Sequence, residues 1–476
     1  MVSDMDFPLF INGEQVAGAS EQIIELPYDG SAVAHVQQAA REQVDQAVAA
    51  ARAAAPVMRE MSLDERSAIL RKAYTLLLEQ REDMALAISS ECGKPIKEAR
   101  LEVDRSALTL LFSAEEAHRL TGEVVPMDAS PYGKGRMAMT VREPLGVIAA
   151  ITPFNFPLNL AMHKIGPAFA AGNTVVHKPA STTPISGLKM ARIFEQAGLP
   201  KGALNVIPGP GGVIGDLLVL HKDVAMITFT GSPEVGVRMR GLAGLKRVTL
   251  ELGNNSAVMI EPDANLAEAV ARCVAGSFAH SGQVCISVQR IFVHDKIRSE
   301  FLERMVETAR KLVIGHPHDP ATDISSLITV KEAERVESWV EEAVGAGAKL
   351  LLGGKRRRAT LEPSILTDVP LTAPLFCKEA FGPVVGVNSY SDLDDAIGMV
   401  NASDYGLQAG IYTNNLEKAF RAARKVHVGG FMINEVPQWR VDHMPYGGVK
   451  LSGTGREGPK YAIEEMTEPK LICWKV

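Results

Sequence analysis

The spacing of apolar residues predicts helices over residues 41–118. Apolar side chains recur there at a spacing that places them on one face of a helix. Clear examples are Ala68, Leu70, Leu76, Leu77, Met84, Leu86 and Ile88. Gly93-Lys94-Pro95 interrupts this pattern, and a further helix is predicted from about Ile96 to Leu120.

Residues 146–251 follow a different pattern, in which short apolar runs alternate with helical stretches. The predicted strands are Val147–Ile151, Thr174–His177, Ala203–Ile207, Val224–Phe229 and Arg247–Leu250. Strands that alternate with helices predict βαβ units and a parallel sheet. Sheets of this kind bind nucleotides beyond the carboxyl ends of their strands.

A second alternating region runs from about residue 252 to 440. Its helices are predicted near 266–279, 298–312 and 330–346, and its strands near 289–294, 349–353 and 384–390. Two α/β cores in one chain predict a ligand site between them. Residues 135–142 and 469–476 also read as strands, but neither predicted sheet has an obvious place for them.

Composition excludes several classes of partner. The chain has 476 residues, 46% of them hydrophobic and 22% charged, and its net charge is -6. This balance is ordinary for a globular protein, and it argues against a nucleic-acid surface, which needs concentrated Lys and Arg. No apolar run approaches the roughly 18 residues that would span a bilayer. We therefore expect neither a nucleic-acid nor a membrane partner.

The cysteines indicate a reducing compartment. Five cysteines are widely spread and form no CxxC pair, which allows at most one reactive thiol. The first residues lack a signal-peptide pattern, so the cytoplasm is the predicted location. A metal site is not expected, because the one close histidine pair, His316 and His318, has no third ligand at a useful spacing.

Two residues stand out as candidates for catalysis. Cys285 follows the glycine break of His280-Ser281-Gly282-Gln283-Val284. An isolated cysteine is most often a small buried hydrophobe, and Cys273 and Cys377 fit that interpretation. Glu251, however, closes an apolar strand, where a carboxylate is costly to bury unless it is used or paired. A carboxylate of raised pKa near a thiol can act as a general base.

Two loops after predicted strands are candidate binding elements. Asn155 lies in Thr152-Pro153-Phe154-Asn155-Phe156-Pro157, where it either stabilises the turn or donates its amide to a developing oxyanion. Phe229-Thr230-Gly231-Ser232-Pro233 ends a strand and begins a helix, which favours pyrophosphate binding. Gly209–Gly215 lacks the last glycine of the dinucleotide fingerprint, so we interpret it as a loop that leads to a helix.

The order of these motifs resembles the aldehyde dehydrogenase superfamily over essentially the whole chain. The matching motifs are Pro-Phe-Asn-Phe-Pro at 153–157, Lys-Pro-Ala at 178–180, Phe-Thr-Gly-Ser at 229–232, Glu-Leu-Gly at 251–253, Gly-Gln-Val-Cys at 282–285, Glu-Ala-Phe-Gly-Pro at 379–383 and Met-Pro-Tyr-Gly-Gly-Val-Lys at 444–450, which runs into Ser-Gly-Thr-Gly-Arg-Glu. Each motif alone is weak, but seven in order are very specific.

The resemblance implies an α/β fold with a Rossmann-like cofactor domain, an α/β catalytic domain and a small β oligomerisation flap. We assign 1–118 and 143–250 to the cofactor domain, 251–445 to the catalytic domain, and 119–142 with 460–476 to the oligomerisation strands. The same resemblance implies a homodimer or homotetramer. These strands have edges that need partners, which closed symmetry supplies.

The resemblance also implies the reaction and its residues. It makes Cys285 the nucleophile and Glu251 the general base of an aldehyde oxidation that passes through a thioester. Asn155 and the backbone N–H of Cys285 form the implied oxyanion hole. Lys164 and Glu468 fall where the family places a proton relay.

NAD or NADP is the cofactor that the family uses. By resemblance the cofactor-binding residues are Phe154, Lys178, Ser181, Gly231, Ser232, Glu379 and Phe381. Position 181, three after Lys178, is commonly glutamate in strongly NAD-selective members, so Ser181 predicts that NADP is accepted. The loop after Gly253 also departs from the family, with Asn254 in place of a second glycine.

The substrate predicted from this resemblance is a small polar or anionic aldehyde. Arg440 and Arg105 fall near the implied entrance of the substrate tunnel, and Val284 and Ile286 flank the nucleophile. Two guanidiniums at one mouth would bind an anion, whereas the alternative is that both are surface ion-pair partners. Lactaldehyde and succinate semialdehyde are the candidates, because Gly-Gln-Val-Cys-Ile-Ser resembles lactaldehyde dehydrogenases and Val284 disfavours a phosphorylated triose.

Two other functions remain open on sequence grounds. An acylating dehydrogenase would transfer the acyl group to coenzyme A and would need no water-activating base. A catalytically silent binding or structural protein on the same fold would need none of Cys285, Glu251 and Asn155. The presence of these residues favours the hydrolytic enzyme.

Overall fold

The computed structural model describes residues 5–476 and begins with five short strands. They are β1 (Asp6–Phe7), β2 (Leu9–Ile11), β3 (Glu14–Val16), β4 (Ser20–Glu25) and β5 (Ala32–Gln38). Strand β5 lies between β1 and β4 in a small sheet, while β2 and β3 form a hairpin. The hydropathy pattern does not predict these strands, since β1, β2 and β3 have only two or three residues each and β4 is mostly exposed.

Four helices follow and confirm the predicted helical region. They are α1 (Arg41–Glu60), α2 (Leu63–Glu79), α3 (Arg81–Cys92) and α4 (Ile96–Ala117). Ser62 caps α2, because its hydroxyl accepts the Glu65 backbone N–H at 3.2 Å and the Glu65 carboxylate accepts the Ser62 N–H at 2.7 Å. Gly93 ends α3 with a φ of 68°, which glycine adopts without strain.

Strands and helices then alternate as predicted. The elements are β6 (Val124–Val125), β7 (Arg136–Pro144), β8 (Val147–Ile151), α5 (Asn159–Ala170), β9 (Thr174–Lys178), α6 (Ile185–Ala197), β10 (Leu204–Val206), α7 (Gly211–Leu220), β11 (Val224–Thr230), α8 (Pro233–Leu242) and β12 (Arg247–Glu251). Every residue of β8 and β9 is buried. Continuous apolar runs are typical of parallel strands covered on both faces.

The rest of the chain repeats the alternation and ends in a long strand. The elements are β13 (Ala257–Ile260), α9 (Leu266–Phe278), β14 (Arg290–His294), α10 (Arg298–Ala309), α11 (Val330–Gly345), β15 (Lys349–Leu352), β16 (Arg356–Arg357), β17 (Thr360–Leu361), β18 (Ser364–Thr367), α12 (Pro374–Cys377), β19 (Val384–Tyr390), α13 (Leu393–Asn401), β20 (Tyr405–Gly406), β21 (Gln408–Tyr412), α14 (Leu416–Lys425), β22 (Gly430–Ile433), β23 (Val449–Lys450), β24 (Gly453–Thr454), α15 (Pro459–Glu465) and β25 (Thr467–Lys475). Short 3-10 turns lie at Met127–Ala129, Pro131–Gly133, Ala279–Gly282 and Asp295–Ile297.

The first large sheet has the order expected of a Rossmann-like nucleotide-binding sheet. Its strand order is β24-β12-β11-β8-β9-β10-β2-β3, and the five strands from β12 to β10 are parallel. The chain adds β9 and β10 on one side of β8 and then returns to add β11 and β12 on the other side, so the order of strands reverses between β8 and β11. A ligand binds at such a switch point, beyond the carboxyl ends of the strands.

The second large sheet forms the other α/β core. Its order is β15-β18-β19-β14-β13-β21-β22, and only the edge strand β15 runs antiparallel to its neighbour. Helices α9 and α10 pack on one apolar cluster of this sheet. Two α/β cores were predicted, and the α/β fold class is confirmed.

Two predicted strands had no place in either core, and the structure shows that they pair with each other. Strand β25 runs antiparallel to β7 from Thr467 opposite Pro144 to Lys475 opposite Arg136, and β6 adds a third strand. The prediction that they lie outside both large sheets is confirmed. Within residues 5–476, the structure contains no helix that is both long and apolar enough to cross a membrane.

Candidate active site

The predicted site residues from the first half of the chain meet at one edge of the first large sheet. The Asn155 loop follows β8, Lys178 ends β9, Gly231 and Ser232 follow β11, and Glu251 ends β12. Glu251 lies opposite Thr230 in the strand register, and its carbonyl accepts the Gly231 N–H at 3.0 Å. These four segments come from different strands, and they meet because the carboxyl ends of parallel strands share one edge.

The loop before Cys285 has an unusual backbone. His280, Ser281 and Gly282 have φ values of 48°, 53° and 74°. Such values are strained for the first two residues, and strain of this kind often lies at functional sites. Gly282 has no substitute here, because a Cβ would collide with the Gly382 carbonyl. The Ser281 hydroxyl stabilises the loop by donating to the Ser325 carbonyl and accepting the Ser325 N–H, both at 3.1 Å.

Asn155 contacts the nucleophile loop directly. Its side-chain amide donates to the carbonyl of Gln283, two residues before Cys285, at 2.8 Å. An amide group has two hydrogens, so a second N–H remains for another acceptor. Val284 and Ile286 are buried on either side of Cys285, where they pack with Tyr446. The structure therefore brings Asn155, Cys285, Val284 and Ile286 together, as predicted.

The Cys285 thiol lies in a mixed electrostatic environment. Burial raises the pKa of the thiol to about 12, and the carboxylates of Glu379 and Glu251 act in the same direction. The Tyr446 hydroxyl, 2.8 Å from Sγ, and the Arg440 guanidinium oppose this rise. The thiolate therefore depends on these two groups for stabilisation.

Glu251 has the properties of a general base. Burial and then the nearby Glu457 carboxylate raise its pKa well above the ordinary value. Its Oε2 is buried and has no hydrogen-bond partner in the part of the chain that the structure describes. A Cβ on Gly447 would lie 2.8 Å from Oε1, so the glycine leaves room for the carboxylate. A buried acceptor without a partner is free to take a proton from water.

Of the two residues predicted for a proton relay, the structure brings Lys164 close to Glu251 but not Glu468. Lys164 is buried and pairs with Glu457 at 3.0 Å. Glu468 lies on β25 with its side chain 58% exposed, and it pairs with Arg247. The prediction for Glu468 is therefore wrong, because the β25 register holds it outside the buried cluster. A cavity of about 10 Å³, the space of one water molecule, is lined by Lys164, Glu251 and Glu457.

Glu457 is a buried carboxyl whose pKa is lowered by basic neighbours. Burial alone would raise the pKa of this carboxyl, but Lys164, His163 and Arg440 lower it to about 2. Glu457 is therefore ionised, and its negative charge increases the proton affinity of Glu251. Signals for Glu457 exist in the sequence, since it is the last residue of the quoted Ser-Gly-Thr-Gly-Arg-Glu motif.

The two predicted substrate arginines are connected, but neither stands free at the surface. Arg105 binds Asp442 through two hydrogen bonds of 2.8 and 3.1 Å. Asp442 Oδ1 also lies 3.0 Å from His163 Nε2, which in turn lies 3.0 Å from Arg440. The Arg440 side chain is only 6% exposed and pairs with Glu457 at 3.2 Å.

Arg440 also contacts the partner of the nucleophile. Its guanidinium carbon lies 3.6 Å from the centre of the Tyr446 ring. Its Nε is buried and has no hydrogen-bond partner among residues 5–476. Sequence reasoning missed Tyr446, Asp442 and His163, whose roles depend on contacts between distant segments.

The predicted cofactor residues form a surface that fits a dinucleotide. Lys178 is buried, and the only hydrogen bond of its Nζ among the described residues goes to the Pro179 carbonyl at 2.9 Å. Burial lowers the Lys178 pKa to about 8. Ser232 caps α8 and accepts the Val235 N–H at 3.4 Å. Thr230 Oγ1, at the end of β11, is buried without a partner in the described chain.

Of the other predicted cofactor residues, Glu379 and Phe381 belong to the second α/β core, whereas Phe154 and Ser181 follow strands of the first. Glu379 accepts the Asn254 N–H at 2.9 Å, and burial raises its pKa to about 7. Phe381 packs edge-on against Phe154 with ring centres 5.7 Å apart. Ser181 donates to the Gly209 carbonyl at 3.4 Å. Residues from both α/β cores thus face one another, which fits a ligand site between them.

The described residues contain no group of three or more His, Cys, Asp and Glu side chains that could hold a metal ion. The chemistry that the residues of the site support is acyl transfer through a thiol, with a buried carboxylate as base.

Comparison with known proteins identifies relatives over the whole chain. A 3-sulfolactaldehyde dehydrogenase of Priestia aryabhattai is 51% identical over 466 residues, which cover 98% of this chain and 97% of the relative. A lactaldehyde dehydrogenase of Methanococcus aeolicus is 40% identical over 468 residues, 98% of this chain and 99% of that protein.

A solved structure agrees with this relationship. Aldehyde dehydrogenase 21 of Physcomitrella patens, in complex with the reaction product succinate, is 39% identical and superimposes with a TM-score of 0.96 over 100% of this chain and 99% of that chain. The model of the aldehyde dehydrogenase family matches residues 16–472. The chain is an NAD(P)-dependent enzyme that belongs to the aldehyde dehydrogenase family.

Proposed function

We propose that this aldehyde dehydrogenase oxidises a short aldehyde with an anionic group at its far end. The observation that carries the proposal is the environment of Arg440. This buried cation has an Nε without a partner among the described residues, and it stacks on Tyr446, which contacts the Cys285 thiol. The relatives named sulfolactaldehyde and lactaldehyde dehydrogenase, and the solved structure that holds the reaction product succinate, support a short polar substrate. A charged hydrogen bond in a buried site contributes strongly to recognition.

The charges around Arg440 support an anion rather than a neutral group. Lys164, Arg105 and Arg440 carry three positive charges, whereas Asp442 and Glu457 supply two ionised carboxylates. Asp442 occupies two N–H groups of Arg105, so Arg440 is the better candidate for the substrate. Burial and the Glu457 charge raise the pKa of Glu251 and favour its neutral acid, and in that state a bound sulfonate or carboxylate would balance the remaining positive charge.

We assign the chemical steps to the residues around the thiol. The Cys285 thiolate attacks the aldehyde carbon, and the resulting oxyanion accepts hydrogen bonds from the Asn155 amide and the Cys285 backbone N–H. Such donors stabilise the developing charge by about 3–4 kcal/mol. NAD or NADP, held by the predicted cofactor residues, would accept the hydride that the former aldehyde carbon loses, and Cys285 would then carry a thioester.

Glu251 completes the reaction in this proposal. Its carboxylate removes a proton from water, the water oxygen attacks the thioester carbon, and the carbon–sulfur bond breaks to release the carboxylate product. Lys164 and Glu457 support the transfer of the proton away from Glu251. The buried base supports hydrolysis over transfer of the acyl group to coenzyme A, which would need no such base.

A matched pair of substrates tests the anion directly. Lactaldehyde and 3-sulfolactaldehyde differ by the sulfonate, so the ratio of their kcat/KM values cancels effects on the base and on stability. We expect the native ratio to favour the sulfonate, and Arg440→Gln to lower that ratio by about tenfold or more. Arg440→Lys should keep part of the preference.

Two results would contradict this proposal. An unchanged ratio in Arg440→Gln, or hexanal as the best substrate, rules out anion binding by Arg440. Cys285→Ala should abolish oxidation of every aldehyde while cofactor binding persists. Residual oxidation at a tenth of the native rate would instead reject Cys285 as the nucleophile.

We also propose that NADP is accepted alongside NAD. Position 181 bears a serine hydroxyl rather than a carboxylate, so no charge there would repel a 2′-phosphate, and the Lys178 ammonium lies three residues earlier. The measurement is kcat/KM with each cofactor, and Ser181→Glu should shift the ratio towards NAD. A native preference for NAD above about a thousandfold contradicts the proposal.

The homodimer or homotetramer remains a proposal that the third sheet supports. Strands β7 and β25 expose Met139, Leu471, Ile472 and Trp474 at 39–57% of their surface. Exposed apolar strands of this kind need a partner. Light scattering should give at least twice the monomer mass, and Leu471→Asp should reduce it. The cytoplasm stays a prediction, supported by five cysteines that form no disulfide.

A further inference from the structure

Tyr446 contacts the Cys285 thiol directly, and no role for this tyrosine was predicted from the sequence motifs. Its hydroxyl lies 2.8 Å from Cys285 Sγ, and either atom can act as the donor. The sulfur of a thiolate is only an acceptor, so in that state the phenol must donate. Hydrogen bonds to an ionised acceptor are roughly twice as strong as those between neutral groups.

The protein fixes the phenol in this position from two directions. The Tyr446 ring is 2% exposed and packs with Val284, Ile286 and Leu407. Its backbone N–H donates to the Glu457 carbonyl at 3.0 Å, and its own carbonyl accepts the Glu457 N–H. The hydroxyl therefore points at the sulfur without the need to order a flexible side chain, which makes the hydrogen bond preorganised.

Arg440 strengthens the phenol as a donor. Its guanidinium lies over the face of the ring at 3.6 Å, within the range of a cation–π interaction. A cation on the ring withdraws charge from the phenol and increases its ability to donate. Burial and the Cys285 sulfur nevertheless raise the pKa of Tyr446 well above its usual value, so the phenol keeps its proton.

We propose that Tyr446 is a catalytic residue, which stabilises the Cys285 thiolate by donating a hydrogen bond from its hydroxyl to the sulfur. The inference rests on the proposed role of Cys285 as nucleophile. The thiol proton leaves to solvent, and the phenol keeps its own, so no bond to Tyr446 breaks. The same hydrogen bond stabilises the sulfur again when the thiolate leaves the thioester.

The charged groups around the sulfur explain why such a donor is needed. The carboxylates of Glu379 and Glu251 disfavour a thiolate at Cys285, whereas the Arg440 guanidinium favours it. Arg440 pairs with Glu457, so its charge is partly neutralised. Tyr446 is a neutral donor whose effect on the thiolate does not depend on ion pairing.

The test is the pH dependence of Cys285 alkylation in the cofactor-free protein. Iodoacetamide is the probe, and modification is followed by mass spectrometry of the Cys285 peptide, so that the other cysteines do not contribute. Tyr446→Phe keeps the ring and removes only the hydroxyl. We expect the apparent pKa of Cys285 to rise by about one unit, which is about a tenfold loss of alkylation rate below that pKa.

Tyr412→Phe is the matched control. Tyr412 is also a buried tyrosine, 1% exposed, and its hydroxyl has no hydrogen-bond partner in the described residues. This variant should leave the alkylation profile unchanged. A role of Tyr446 in packing alone would leave the profile of Tyr446→Phe unchanged as well, because the ring is retained.

Three outcomes decide the proposal. A raised apparent pKa in Tyr446→Phe alone supports it. An unchanged pKa overturns it, and a lowered pKa overturns it too, since the thiol would then be the donor. The activity of Cys285→Ala tests the nucleophile assignment separately. If that variant retained dehydrogenase activity, the assignment would fail whatever the tyrosine variants show.

Discussion

Two clusters of buried charge contact helix α5, and they differ in how completely their polar atoms are satisfied. The support cluster consists of Glu91, Lys94 and Glu102. The reaction cluster consists of His163, Lys164, Glu251, Arg440 and Glu457. Glu102 accepts the N–H groups of Leu158 and Asn159 at the start of α5, at 3.0 and 3.1 Å, while His163 and Lys164 lie within the helix.

The support cluster leaves no buried side-chain nitrogen or oxygen unpaired. Lys94 and Glu102 form an ion pair with both side chains 0% exposed, and the Lys94 ammonium also lies 3.8 Å above the Phe156 ring. In the reaction cluster, Glu251 Oε2, Arg440 Nε and His163 Nδ1 are buried without partners among residues 5–476. Unpaired buried atoms are costly, and these three lie in the cluster that surrounds Glu251, where a ligand or a reacting group would supply partners.

The reaction cluster also separates two carboxylates that are equally buried. The pKa of Glu457 falls to about 2 because three basic side chains surround it, whereas burial and the Glu457 charge raise that of Glu251. One carboxylate is thereby held ionised and the other is ready to exchange a proton. The comparison predicts that changes in the reaction cluster alter rates, whereas changes in the support cluster alter stability.

The largest expected effect is that of Glu251→Gln on turnover. Loss of the base should slow hydrolysis of the thioester and lower kcat by about a thousandfold, within the usual range for general-base catalysis. That corresponds to about 4 kcal/mol of barrier. Stopped-flow absorbance of the reduced cofactor should show a burst followed by a slow steady rate, since acylation precedes the blocked step.

The pH profile checks the same variant. Because the pKa of Glu251 is raised, native kcat should increase as the pH rises through that value and ionises the base. Glu251→Gln should remove this dependence and leave the urea midpoint nearly unchanged. A variant that unfolds readily, or one that retains the native pH profile, would contradict the assignment of Glu251 to chemistry.

The second effect is that of Lys94→Met on stability. Removal of one partner of a buried ion pair leaves the other charge uncompensated, and this costs about 3 kcal/mol or more. Urea denaturation should show the loss, while the pH profile of kcat in the folded protein keeps its native shape.

A second substitution supplies the control for Lys94→Met. Glu102→Gln in the same chain removes the uncompensated charge but keeps an oxygen for the Leu158 and Asn159 N–H groups. The double variant should regain most of the lost stability. If it were less stable than Lys94→Met, the ion pair would not be the source of the effect.

Sequence patterns indicated several candidate residues of the active site, but they did not predict the ion pairs that connect the reaction cluster. The apolar runs of β8, β9, β11 and β12 are continuous, so their ends and the residues that follow them were predicted to within one residue. Cys285, Glu251 and Asn155 lie in motifs at those ends or in a glycine-rich loop. Local pattern and position made them candidates, and the family resemblance supplied their predicted roles.

The ion pairs of the cluster could not be found in this way. Lys164 and Glu457 are 293 positions apart, and no local pattern links them. Glu468 and Glu457 are both acidic residues near the chain end, and they differ only in three-dimensional placement. The β25 register puts Glu468 opposite Glu143 at the surface, whereas an isolated bridge to Tyr446 holds Glu457 inside.

The effect that is smallest per step of the measurement, here one pH unit, is the pH dependence that Glu91 gives to stability. Its carboxylate accepts the N–H groups of Ile185 and Ser186 at the start of α6, at 2.6 and 3.1 Å, and burial raises its pKa to about 8. Between the unfolded value of about 4.5 and this folded value, the folded state keeps a proton that the unfolded state has lost. Stability from this group is therefore full below the lower value and decreases as the pH rises, by about 1.4 kcal/mol per pH unit.

Glu91→Gln cannot ionise, so the difference in unfolding free energy between variant and native protein should change with that slope. Equal slopes for both proteins would show that Glu91 is ionised in the folded state, and the support cluster would then contain a third buried charge rather than a neutral acid.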